Sequence, residues 1–85
     1  MLFRRMKYFY AVVECGSFTA AAKRCGVSQS AISQQIAALE SSMGVTLIER
    51  SGRGFRLTTA GDYFYKNGKQ VLRSAEELCT RTAEL

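Results

Sequence analysis

The chain has 85 residues, of which 47% are hydrophobic, and it contains no proline. This length allows one small domain, and the composition excludes a disordered or collagen-like chain. The net charge of +5 is uneven, since residues 1–56 carry eight Lys or Arg against three Glu, while residues 57–85 carry four of each sign. A localised basic surface indicates an anionic partner, either a nucleic acid or an anionic membrane, although a merely solvated basic face would give the same count.

The residue types argue against several other functions. The chain has no histidine, and its three cysteines, Cys15, Cys25 and Cys79, are far apart, so we expect no metal and no cofactor. All three fall on apolar helix positions, which predicts buried free thiols in a reducing cytoplasm. The apolar run 8–13 is too short for a signal peptide or a membrane span. Without histidine, paired carboxylates or a nucleophile elbow, we expect no enzyme.

Three stretches in the first half of the chain show helical periodicity. Apolar residues recur every three or four positions, which predicts helices over 2–15, 18–25 and 29–43. A glycine follows each stretch and a serine precedes the second and third, as helix stops and N-caps do: Gly16, Gly26, Gly44, Ser17 and Ser28. The third helix has a stripe that we expect to be buried, made of Ile32, Ile36, Leu39 and Met43. Its opposite face carries Ser, Gln and Ala in place of the Lys and Glu of an ordinary solvated helix.

The second half begins with two short alternating runs, residues 45–49 and 55–58. A glycine-rich basic turn over 50–54 joins them, which predicts a β-hairpin. A last helix is expected to start near Thr58 or Thr59, where Thr59 with Asp62 resembles a capping box, and to run to the end of the chain. This helix has large residues seven apart with small residues between them, the pattern of a seam between two helices: Phe64, Gly68, Val71, Ala75 and Leu78. A helix packed only against its own domain is the alternative.

The centre of the chain has the order of a helix-turn-helix. Ala22 is small enough for two helices to approach, and Gly26 makes the turn four residues later. The following helix then protrudes with small polar residues outward, as a helix that enters a major groove does. Three helices packed for stability alone would explain the apolar stripe but not this outer face. The sequence predicts a mainly α fold: a winged helix-turn-helix, three helices plus a two-stranded β wing, over 1–58, then a long dimerisation helix over 59–85.

The stretch FTAAAKRCGVSQSAISQQIAALE resembles the N-terminal region of the LysR-type transcriptional regulators. The matching pieces are Gly16-Ser17-Phe18, Ala21-Ala22, Val27-Ser28-Gln29, Ala31-Ile32-Ser33, Gln35-Ile36, Leu39-Glu40, Gly44-Val45, Leu47, Glu49-Arg50, Leu57-Thr58 and Ala60-Gly61. The resemblance covers nearly the whole chain. It implies a winged helix-turn-helix that binds double-stranded DNA and a linker helix that pairs antiparallel with a second copy. It also implies a C-terminal domain, outside these residues, through which a small-molecule effector acts.

The resemblance also implies roles for individual residues. Base contacts would come from the start of the third helix: Gln29, Ser30, Ser33 and Gln34. Backbone contacts would come from the start of the second helix and from the wing, with Arg53 at its tip: Ser17, Phe18, Thr19, Arg50, Arg53 and Arg56. Ser30 stands where the family commonly has Pro, and Gln34 stands where Arg is common; a Gln amide suits adenine. A dimer would read an interrupted inverted repeat. A winged helix used only for protein–protein assembly is the alternative function.

Overall fold

The computed structural model describes residues 2–52 and 54–85. Its elements in chain order are α1 (Leu2–Cys15), α2 (Phe18–Cys25), α3 (Gln29–Met43), β1 (Ile48–Ser51), β2 (Gly54–Leu57) and α4 (Thr59–Ala83). The predicted bounds of the first three helices are confirmed, and so are the hairpin and the long last helix. β1 begins at Ile48, later than predicted, because the antiparallel register opens with Ile48 opposite Leu57.

Short-range signals place α2 and α3. The Oγ of Ser17 accepts a hydrogen bond from the backbone N–H of Ala20 at 3.0 Å, and Ser28 does the same for Ala31 at 3.1 Å. Between the two helices Gly26 has a φ of +69°, which a residue with a Cβ adopts only at a cost. The chain therefore turns sharply out of α2 and into α3.

The start of α4 lies where the sequence predicts it, but its capping differs from the prediction. Thr58 is its N-cap and accepts a hydrogen bond from the N–H of Gly61 at 2.9 Å, so the predicted capping box of Thr59 with Asp62 was wrong. The N–H of Thr58 also donates to the carbonyl oxygen of Leu47 at 3.0 Å. Gly61 lies so close to the same segment that a Cβ there would overlap this carbonyl oxygen. These contacts tie the start of α4 to the residues that lead into β1.

The core lies where α1, α2 and α3 meet the start of the hairpin. Its largest fully buried side chains are Phe9, Val12, Ile32, Leu39 and Leu47. Each such side chain stabilises the fold by about 1.5–3 kcal/mol. Met43, predicted to be buried, is 38% exposed because α3 continues past the core before it ends.

The first half of α4 packs on α1. The ring of Phe64 lies 5.5 Å from that of Phe9, edge to face. The hydroxyl of Tyr10 donates to the carbonyl oxygen of Phe64 at 3.2 Å, and its ring lies 5.3 Å from that of Tyr65. Burial, with a smaller effect of Tyr65, raises the pKa of Tyr10 to about 12. Gly68 is buried beneath the same tyrosine, so this half of the helix belongs to the domain core.

All three cysteines are free thiols, and only two are partly buried. Cys15 and Cys25 are half-buried, whereas Cys79 is exposed. The prediction of burial was wrong for Cys79 because the second half of α4 extends beyond the helix that covers its first half. Within residues 2–52 and 54–85, no group of three or more His, Cys, Asp or Glu could hold a metal ion. No helix in these ranges is both long and apolar enough to cross a membrane.

Candidate nucleic-acid interface

The four predicted base-contacting side chains lie together on one open surface. Gln29, Ser30, Ser33 and Gln34 line a shallow depression at the N-terminal end of α3. We call these four residues the reading face. Three of them are exposed and Ser33 is half-buried. The buried stripe on the other side of α3 holds this face outward, as the helical spacing predicts.

One member of the reading face is held by α2. The Oγ1 of Thr19 donates to the Oε1 of Gln29 at 3.2 Å. Among the residues that the structure describes, none forms a hydrogen bond with the side chain of Gln34. The sequence assigned Thr19 and Gln29 separately to DNA contacts and did not predict that they contact each other.

A second member is held by the wing. The guanidinium carbon of Arg50 lies 3.7 Å above the ring centroid of Phe18, and its Nη2 donates to the Oγ of Ser33. Phe55, on β2, packs edge-on against the same ring at 5.9 Å. A stacked guanidinium contributes about 0.5–2 kcal/mol through the cation–π attraction. Contacts within the chain therefore already occupy Arg50, which was predicted to contact the DNA backbone.

The other two wing arginines have different surroundings. Arg56 lies opposite Glu49 in the hairpin, with its Nε 3.1 Å from the Glu49 Oε1. Both side chains are exposed, at 81% and 52%. An exposed pair contributes only about 0–1 kcal/mol, so a phosphate could replace the carboxylate. Arg53, predicted at the wing tip, lies outside the described residues.

A polar cleft separates the start of α2 from the wing. Ser17 and Thr19 border it on one side, and Arg50 and Gly52 border it on the other. The Ser17 hydroxyl is used in capping α2. The first backbone N–H groups of a helix have no partner within it, and they point toward anions at such an opening. This cleft is where the predicted backbone contacts of Ser17, Phe18 and Thr19 would form.

Glu40 ties the wing to α3, a role that the sequence did not predict. Its Oε2 accepts hydrogen bonds from the backbone N–H of Leu47 at 2.7 Å and of Ile48 at 3.1 Å. Hydrogen bonds to a charged group contribute about 1.5–3 kcal/mol each. The available signal was that Glu40 is the one charged residue of α3 and lies near its buried stripe. These two hydrogen bonds hold β1, which carries Arg50, in place beside the reading face.

The second half of α4 presents an open apolar face. Val71 is 53% exposed and Leu78 is 67% exposed, and Ala75 lies between them. Two other residues predicted for the dimer seam, Phe64 and Gly68, are packed against α1 within the chain. The residues of the heptad pattern therefore fall into two groups. Those before Val71 pack within the chain, and those from Val71 onward form the exposed apolar face.

A tight turn between two helices, an outward α3 and a two-stranded hairpin beside it define a winged helix-turn-helix. Residues 3–62 match the family described as bacterial regulatory helix-turn-helix protein, lysR family. The chain belongs to this family, as the resemblance predicted.

Individual relatives agree with this assignment. The HTH-type transcriptional regulator TcbR from Pseudomonas sp. is 51% identical over 75 residues, which are 88% of this chain and 26% of TcbR. ClcR from Pseudomonas putida is 46% identical over 76 residues, 89% of this chain and 26% of ClcR. The chain thus spans about a quarter of the length of these two regulators.

Solved structures give the same result. The CbnR DNA-binding domain in complex with DNA has a TM-score of 0.91 and 46% identity, with 99% of this chain and 97% of that chain covered. The BenM DNA-binding domain in complex with catB site 1 DNA has a TM-score of 0.90 and 36% identity, with 99% and 94% covered.

Proposed function

We propose that this chain is the DNA-binding domain of a transcription regulator and binds double-stranded DNA sequence-specifically, with α3 in the major groove. The reading face carries this proposal, because it places four small polar side chains on the open side of a helix whose other side is buried. An α-helix fits the major groove, where each base pair has its own donor and acceptor pattern. The DNA complexes of CbnR and BenM, at 46% and 36% identity, support binding to DNA.

The residues divide into those that read bases and those that contact the backbone. Bases are contacted by the reading face, in which the amide of Gln34, with no hydrogen-bond partner among the described residues, can pair with adenine N6 and N7. Phosphates are contacted by the N–H groups at the start of α2, over residues 17–19, and by the wing cations Arg53 and Arg56. These backbone contacts carry no sequence information but set the register of α3 on the duplex.

The proposal includes a homodimer formed through the open face of α4. Val71, Ala75 and Leu78 form an apolar stripe with heptad spacing, which a second copy of the helix would cover. A two-fold dimer holds two reading faces at a fixed separation and so reads an interrupted inverted repeat. We further propose that a small-molecule effector acts through a separate domain of the regulator, in the bacterial cytoplasm.

Selection of random duplexes on the purified chain tests this function. We expect an interrupted inverted repeat to be enriched. Gln34→Ala should change the preferred base at one symmetric pair of positions, whereas Gln70→Ala, on the exposed surface of α4, should leave the selected sequence unchanged. A winged helix that serves only protein–protein assembly would enrich no sequence, and that result would refute the proposal.

A further inference from the structure

We propose that Thr19 and Arg50 preset the hydrogen-bond direction of Gln29 and Ser33, so that both present donors to the duplex. Two reading positions would then select base edges that accept hydrogen bonds, guanine above all. This inference rests on the DNA binding proposed above. It adds which class of base Gln29 and Ser33 each contact.

Gln29 carries the first half of the inference. An amide that pairs with adenine uses its oxygen to accept from N6 and its nitrogen to donate to N7. Here the Oε1 of Gln29 accepts the hydroxyl proton of Thr19 at 3.2 Å and therefore faces α2. The Nε2 is left to face outward with two donors. Guanine offers two major-groove acceptors, O6 and N7, and no donor, so it fits this orientation better than adenine.

Ser33 carries the second half. A guanidinium has donors and no acceptor, so the hydrogen bond between Arg50 and Ser33 uses a lone pair of the serine oxygen. The hydroxyl proton is then free to be donated to a base. Arg50 is kept in this place by the ring of Phe18, which in turn packs against Phe55. It is thus a positioning residue that acts through Ser33, in contrast to a phosphate contact.

Gln34 provides an internal control on the same helix. No residue of the described part of the chain forms a hydrogen bond with its side chain, so its amide can rotate to present either the oxygen or the nitrogen. The selected sequence should therefore show guanine under Gln29 and a base with a major-groove acceptor under Ser33. The protein should impose no such preference on the base under Gln34.

Removal of the Thr19 hydroxyl tests the first half. Selection on Gln29→Ala locates the base under Gln29, which should be guanine in the unmodified chain. Thr19→Val keeps the shape but removes the donor, and should reduce a preference of about five- to tenfold for guanine over adenine to less than about twofold. Thr19→Ser should restore it, and the base under Gln34 should not change in any variant.

Two results would overturn this half. One is a preference for adenine or cytosine over guanine under Gln29 in the unmodified chain, since the amino groups of these bases pair with an amide oxygen that faces the duplex. The other is a preference that Thr19→Val leaves unchanged. If the unmodified chain enriches no sequence, the DNA-binding function itself fails, which is a separate outcome.

Two wing variants test the second half. Arg50→Met and Arg56→Met each remove one positive charge and leave a long apolar side chain. Arg56→Met should lower the slope of log affinity against log salt by up to about 0.9, with base preference unchanged. Arg50→Met should change the slope little but relax the preference at the base that Ser33→Ala identifies. If Arg50→Met instead lowers the slope as Arg56→Met does and keeps the preference, Arg50 is a phosphate contact and the inference is wrong.

Discussion

The packing of α1 against α4 at Gly68 sets the direction in which α4 leaves the domain. A Cβ at this position would overlap the hydroxyl oxygen of Tyr10 and lie 3.2 Å from the Cε of Met6. Gly68→Ala gains about 1 kcal/mol of helix propensity. The Tyr10 ring must move, however, which breaks its 3.2 Å hydrogen bond to Phe64 and strains the core. Overpacking of this kind costs about 1–3 kcal/mol and the lost bond about 0.5–1.5, so we expect a net destabilisation of about 1–3 kcal/mol.

Tyr10→Phe removes the overlapping hydroxyl oxygen. In that background the effect of Gly68→Ala on the free energy of unfolding should change sign. The nearest atoms are then the flexible Met6 side chain at 3.2 Å and the ring carbon at 3.4 Å, which small shifts can accommodate. In this background Gly68→Ala should be neutral or stabilise by up to about 1 kcal/mol. The two changes should therefore couple by about 2 kcal/mol, well above the value of about 0.5 expected for independent sites.

This coupling is measured by urea unfolding, monitored by circular dichroism, of the unmodified chain, Gly68→Ala, Tyr10→Phe and the double variant. Additive effects would show that the helices do not approach as closely as the structure places them. A pH series gives a second readout, because the pKa of Tyr10 is about 12 in the fold and 10.0 ordinarily. A raised pKa contributes stability that is complete below the ordinary value and is lost as pH rises toward 12. Tyr10→Phe should abolish this component of alkaline destabilisation.

Three further changes probe the start of α4, the wing and the open face. Gly61→Ala should destabilise by about 2 kcal/mol or more, because its Cβ would overlap the backbone carbonyl of Leu47; an unchanged urea midpoint would contradict this close approach. Glu49→Gln should remove the carboxylate that competes with phosphate for its paired arginine, and so raise the affinity for every duplex alike, measured by fluorescence anisotropy. An unchanged affinity would place that arginine away from phosphate. Val71→Asp should convert the dimer to a monomer in sedimentation velocity while Gln70→Asp should not, and survival of the dimer would refute the proposed seam.

The helices of this fold can be predicted from the sequence, because N-cap residues and helix-terminating glycines act over three or four residues. Ser17, Ser28 and Gly26 bound α2 and α3 without help from distant contacts. The outward position of Ser30 and Gln34 follows in the same way, since helical spacing alone puts them opposite the buried stripe. The inclusion of Gln29 and Ser33 in the reading face came from the family resemblance. Strand bounds were less certain, because they depend on pairing across the hairpin.

Only the tertiary structure decides which partners these residues have. A heptad pattern is the same whether a helix packs on its own domain or on a second chain, and α4 does the former at Phe64 and leaves an open face at Val71. The contact of Thr19 with Gln29 spans 10 residues, and that of Arg50 with Ser33 spans 17. Such contacts depend on the angle between α2 and α3 and on the position of the wing. Packing of the whole core sets both, and no short stretch of sequence encodes them.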